Sequence, residues 1–124
     1  MPRPSKIQLN REGRTLTLQF PDATFVLPAE LLRVLSPSAE VRGHGAEEPK
    51  LVSGKINVGI ETVEAAGRYA LKIVFDDGHD TGLYTWDYLY QMGRDQDQLW
   101  AEYQRRLEAA GAGRDPDVGV VRFV

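Results

Sequence analysis

Between Gly67 and Trp86 the chain alternates apolar and polar residues on both sides of an Asp-Gly pair. Tyr69, Leu71, Ile73 and Phe75 point one way, and Ala70, Lys72, Val74 and Asp76 the other. That is the period-two pattern of a strand with one buried face. Asp77-Gly78 supplies the two residues that a type I′ turn needs at positive φ. With a two-residue loop, Asp76 faces His79, Phe75 faces Asp80, Leu71 faces Tyr84 and Tyr69 faces Trp86. The aromatic and aliphatic residues then share one face, whereas a three-residue loop shifts the pairing and breaks the match. The same register sets His79 beside Asp76 on the partly polar face.

A hairpin needs a partner layer, and the flanking sequence provides one. Ile7–Leu9 and Arg14–Phe20 alternate around the turn-prone Asn10-Arg-Glu-Gly13, and Thr24–Leu27 follows Pro21-Asp22 as a third short strand. Pro28 suits the first turn of a helix, Ala29–Arg33 continues it, and Ser36-Pro37 stops it. Residues 36–54 are rich in glycine, proline, serine and charge and read as a long connection. Ile56–Ile60 reads as a strand leading into the central hairpin. After it, Asp87–Met92 is expected as a short helix closed at Gly93. Asp95 with Gln98 resembles a capping box for a final helix carrying Leu99, Trp100, Tyr103, Leu107 and Ala110 on one broad face and stopping at Gly111. Strands, then helices, with no βαβ alternation, predict an α+β fold. Its mainly antiparallel β-sheet combines a meander with the central hairpin, has a short helix after the third strand, and packs the C-terminal helices on the sheet. Residues 1–110 are expected to form one domain and 111–124 a linker-like tail or edge strand, since Val118–Val124 is apolar enough to pair.

Composition excludes several chemistries. The chain of 124 residues has no cysteine, so disulfides, thiolate metal sites and cysteine nucleophiles are out. A net charge of -3 gives no broad attraction to nucleic acid or anionic membrane. The polar start, without an apolar signal region, predicts a soluble, cytoplasmic protein.

Ala29-Glu-Leu-Leu-Arg33, Ser36–His44, Gly67-Arg-Tyr-Ala-Leu and Phe75–Trp86 together resemble the gamma-butyrobetaine hydroxylase-like N-terminal domains, here in a stand-alone form. The similarity runs from about Ile7 to about Met92. Such domains also occur at the front of carnitine-biosynthesis dioxygenases and attached to P-loop ATPases linked to iron–sulfur cluster assembly. In the dioxygenases the domain holds a structural zinc on three cysteines and one histidine. The positions matching those ligands are Ser36, Ser38, Val41 and His79, so the resemblance implies that this zinc site is absent. The dioxygenase chemistry resides in a separate domain. The facial triad it requires cannot form here, because Ala46 follows His44 and Thr81 follows His79 where the carboxylate would stand.

Two polar constellations remain. His79 with Asp76, Asp77 and Asp80 offers an imidazole and carboxylates that could hold iron or zinc, more strongly if His44 approached. Turn chemistry alone also accounts for Asp77-Gly78, with Asp76 pairing His79 across the strands, and that reading is preferred. Arg33, Ser36, Ser38 and Arg42, with Arg68, are candidates for a partner or anion surface, though no glycine-rich cradle accompanies them. Tyr88 and Tyr90, two positions apart on a helix, are not expected to face inward together, and an exposed one would mark a partner surface. No nucleophile–base pair is visible. The expected function is a non-catalytic binding or accessory module that works through a protein partner, in metal or iron–sulfur metabolism. The alternative is a metal-binding protein built on His79.

Overall fold

The computed structural model describes residues 3–38 and 50–116. Two antiparallel three-stranded sheets form the body. The first has the order β1 (Lys6–Asn10), β2 (Thr15–Gln19) and β3 (Thr24–Pro28). Leu16 pairs with Leu9 and Leu27, and Leu18 with Ile7 and Phe25, so the alternation of β2 lands whole on one face. In the opening turn Asn10 Oδ1 accepts the Gly13 N–H at 2.8 Å. Pro28 ends β3 and stands as the N-cap of α1 (Ala29–Val34).

The second sheet has the order β4 (Ile60–Ala66), β5 (Ala70–Phe75) and β6 (Leu83–Thr85). The expected strand at Ile56–Ile60 is instead a turn, closed by a bond from Val58 N to the Lys55 carbonyl, and the strand starts at Ile60. A bulge follows within the strand: Ile60 pairs with Phe75 and Val63 with Ile73, a step of three on β4 against two on β5. The extra residue turns Ile60 and Val63 both inward, so β4 lacks the period-two signature that marks a strand in sequence.

Leu71 faces Tyr84, as the alternation requires. The tip differs from expectation. Phe75 O accepts from Gly78 N and Phe75 N donates to His79 O, so the loop is Asp76-Asp77-Gly78, with Gly78 at φ +91°. This is a three-residue loop with glycine in the positive-φ position. Residues 80–82 then leave the ladder before Leu83 rejoins it opposite Lys72, which recovers the register. Tyr69, expected in the core opposite Trp86, lies in the Gly67–Tyr69 turn. Its carbonyl accepts the Trp86 N–H, but its side chain is 75% exposed.

One core joins both sheets, α1 and α2 (Trp86–Arg94), with Leu16, Leu18, Leu31, Ile73, Phe75, Tyr84 and Leu89 at its centre. Thr85 caps α2 by accepting the Tyr88 N–H. Gly93 does not close this helix. It lies inside it because the Phe25 ring occupies the space of a side chain: a Cβ there would sit 2.2 Å from the ring. The Asp95 side chain makes no capping bond to the helix that follows, and its carboxylate pairs with Arg94. The last helix, α3 (Gln96–Ala109), buries Tyr103 and Leu107 against Val34, while Ala110 is exposed. Gly111 at φ +65° ends it with bonds from Gly111 N to the Glu108 carbonyl and from Ala112 N to the Leu107 carbonyl, a Schellman closure. Residues 111–116 are tied down: Gly54 N and Ile56 N donate to the Gly113 and Arg114 carbonyls. No helix among the described residues is long and apolar enough to cross a membrane.

Candidate functional site

The polar residues of interest meet where the end of α1 faces the β5–β6 tip. Leu32 and Leu35 have carbonyls at the end of α1 without helical partners, and these accept the hydroxyls of Tyr84 and Tyr88. Burial pushes the Tyr84 hydroxyl far above its ordinary pKa, against the opposing effect of a hydrogen bond with Ser36, so it stays a donor. Just past α1, Ser36 is fully buried and its Oγ lies 2.8 Å from His79 Nε2. Ser36 Oγ also accepts the Ser38 N–H at 3.2 Å, and the Ser38 and Thr81 hydroxyls bond at 2.6 Å.

His79 is therefore not the partner of Asp76. The three-residue loop places it opposite Phe75, on the core side, with its ring 6.0 Å from the Phe75 ring and 6% of its surface exposed. Asp76 and Asp80 are exposed. Among the described residues no three His, Asp or Glu side chains come together as metal ligands. His44 and Val41 lie outside the described residues. The donors that do converge, two serine hydroxyls and an imidazole bonded to one of them, do not fit a zinc site built on thiolates.

Asp77 has more to do than turn the chain. Its Oδ2 accepts from Arg33 Nε at 2.8 Å and Lys55 Nζ at 2.6 Å, and its Oδ1 accepts the His79 N–H at 3.1 Å. Burial pushes its carboxyl up, but the hydrogen bonds from Lys55, the His79 N–H and Arg33 together outweigh that and hold it at about 2. Of the residues expected on an anion surface, Arg33 binds Asp77 through Nε, Ser36 and Ser38 are buried, and Arg42 lies outside the described residues. Tyr88 and Tyr90 are both half-buried. They flank α2 on opposite sides, Tyr88 toward Leu35 and Tyr90 edge-on to Phe20 and Phe25.

The Ser36–His79 contact is the nucleophile–base geometry that the sequence does not display, because its members are 43 residues apart and no local motif links them. Its surroundings are closed. A Cβ on Gly82 would lie 2.5 Å from Ser36 Oγ, so the backbone of Gly82 is packed onto that oxygen.

These features define a small α+β domain of two antiparallel sheets whose polar cluster is closed by hydrogen bonds. The chain belongs to the family described as gamma-butyrobetaine hydroxylase-like, N-terminal, whose model matches residues 7–90. It is similar to a protein solved in solution by NMR, at 56% identity and a TM-score of 0.85 over 100% of this chain and 98% of that one. A second NMR structure is 47% identical, with a TM-score of 0.80 over 100% of this chain and 94% of the other. A crystal structure of a protein of unknown function of the DUF971 family, from Acidithiobacillus ferrooxidans ATCC 23270, is 33% identical. It covers 73% of this chain and 92% of its own, with a TM-score of 0.62. No curated protein matches the chain.

Proposed function

We propose that this chain is a non-catalytic binding module that works through a protein partner. The observation that carries the reading is the closure of the Ser36–His79 pair. A serine nucleophile must meet a carbonyl at its oxygen, with donors for the developing oxyanion close by. Ser36 Oγ has Gly82 against it and no exposed surface. The pair works here as a fastener between the end of α1 and the β5–β6 tip. Among the described residues, Tyr69 is the large hydrophobic most open to solvent, beside a cleft with Thr85, Trp86 and Asp87, and is a natural anchor for a partner. The family's association with iron–sulfur ATPases directs the partner search toward metal-cluster assembly.

The test has two arms. Ester and amide hydrolysis is expected to show no dependence on Ser36. Turnover abolished by both Ser36→Ala and His79→Ala, in folded variants, overturns the reading. In native extract, a partner captured by the wild type is expected to be lost with Tyr69→Ser. Elemental analysis decides the metal alternative: stoichiometric iron or zinc that disappears in His79→Ala would replace this proposal.

A further inference from the structure

Away from the His79 cluster, the start of α1, the start of α3 and the segment after α3 enclose a cavity of about 230 Å³. Its floor is Glu30, a carboxylate 6% exposed. One wall is the Trp100 ring, and Asp97 stands at the rim. A buried carboxylate is costly unless a cation with matching donors meets it. Here the cation is Arg114. Its Nε and Nη2 bond to Glu30 Oε2 and Oε1 at 2.9 and 2.8 Å, and its guanidinium carbon lies 4.8 Å from the centre of the Trp100 ring. A planar fork on a carboxylate, stacked on an aromatic face, is the recognition geometry of arginine and not of lysine.

We propose that Glu30 and Trp100, with Asp97 at the rim, form a guanidinium-recognition pocket, filled in cis by Arg114, that accepts an arginine side chain from a partner protein when Arg114 leaves. Two observations support exchange. The Arg114 side chain is 36% exposed and the Glu30 side chain 6%, so solvent reaches the cation far more than the anion. The cavity beside the bound guanidinium leaves room for a second approach. This goes beyond the binding-module reading by naming the chemistry of a contact. It is tested on the pocket alone, so its failure leaves the partner experiment untouched.

The probe is N-acetylarginine amide, with N-acetyllysine amide as control at equal ionic strength, titrated into full-length Arg114→Ala and followed by the Trp100 indole resonance. The expected result is saturable binding in roughly the millimolar range, about tenfold weaker for the lysine analogue, for wild type and for Arg114→Ala/Glu30→Gln. If Arg114→Ala does not fold, Arg114→Lys keeps the charge without the fork and is titrated in its place. The absence of a saturable shift, an equal response to both probes, or a response that survives Glu30→Gln overturns the proposal.

Discussion

Ser36, His79 and Asp77 show how single residues acquire roles that composition does not assign. Ser36→Ala removes the hydrogen bonds that Ser36 Oγ makes with His79 Nε2 and the Ser38 N–H in a buried site. Removing one side of a buried hydrogen-bonded cluster costs about 1–3 kcal/mol, so this substitution is expected to lower the unfolding free energy by that amount, measured by urea titration. Asp77 gives a pH-dependent counterpart. Its folded pKa of about 2 lies below the ordinary 3.8, so the ionised form is favoured by folding. The stabilisation is therefore complete above the unfolded value and is lost as pH falls from about 4 through about 2. Because the group is only partly shielded, solvent screening reduces its contribution to about 1 kcal/mol. Asp77→Asn is expected to cost that much at pH 6 and to unfold at nearly the same urea concentration as wild type near pH 2. An equal gap at both pH values would refute the assignment. The sequence marks Asp77 and Gly78 as turn residues. It does not reveal that Arg33 and Lys55 converge on Asp77 from 44 and 22 residues away.

At the scale of elements, alternation located β1, β2 and β5 because one face of each meets a continuous core, while Pro21-Asp22, Pro28 and Ser36-Pro37 delimited β3 and α1. It failed where geometry departs from a regular period. In β4 the bulge places inward residues three apart, and at the β5–β6 tip a loop one residue longer turns His79 to the core. Gly93 misleads for a different reason. Glycine near a helix end reads as a stop, but here it clears space for Phe25. That distinction predicts an outcome opposite to helix propensity. Gly93→Ala gains up to about 1 kcal/mol of intrinsic helix preference. A Cβ 2.2 Å from the Phe25 ring must displace either the ring or the helix, and overpacking of that kind costs about 1–3 kcal/mol. A net loss of stability is expected, partly relieved in Gly93→Ala/Phe25→Leu. Additive effects of the two substitutions would show that the helix and ring do not compete for this space.

For the whole molecule, the two sheets, α1 and α2 share one core, whereas α3 packs only the partly buried Leu99 and Trp100 against it and fully buries Tyr103 and Leu107 in a small separate cluster with Val34. Polar ties supplement that cluster. Tyr103 donates to the Val52 carbonyl, and burial, followed by the nearby Glu30 charge, pushes its hydroxyl up to about 12. Arg114 joins the segment after α3 to α1 through Glu30. Few fully buried apolar side chains mean a low local opening energy, so α3 should open without the rest. Native-state hydrogen exchange is expected to show lower protection along Gln96–Ala109 than in β2 and β5. Leu107→Ala removes one of the two buried anchors. It is expected to lower α3 protection by about 2 kcal/mol, within the usual range for a buried leucine, while leaving the β2 and β5 amides nearly unchanged relative to global unfolding. If Leu107→Ala instead lowers protection equally in α3, β2 and β5, α3 belongs to the same cooperative unit as the sheets, and the division of the core into two clusters has no energetic meaning.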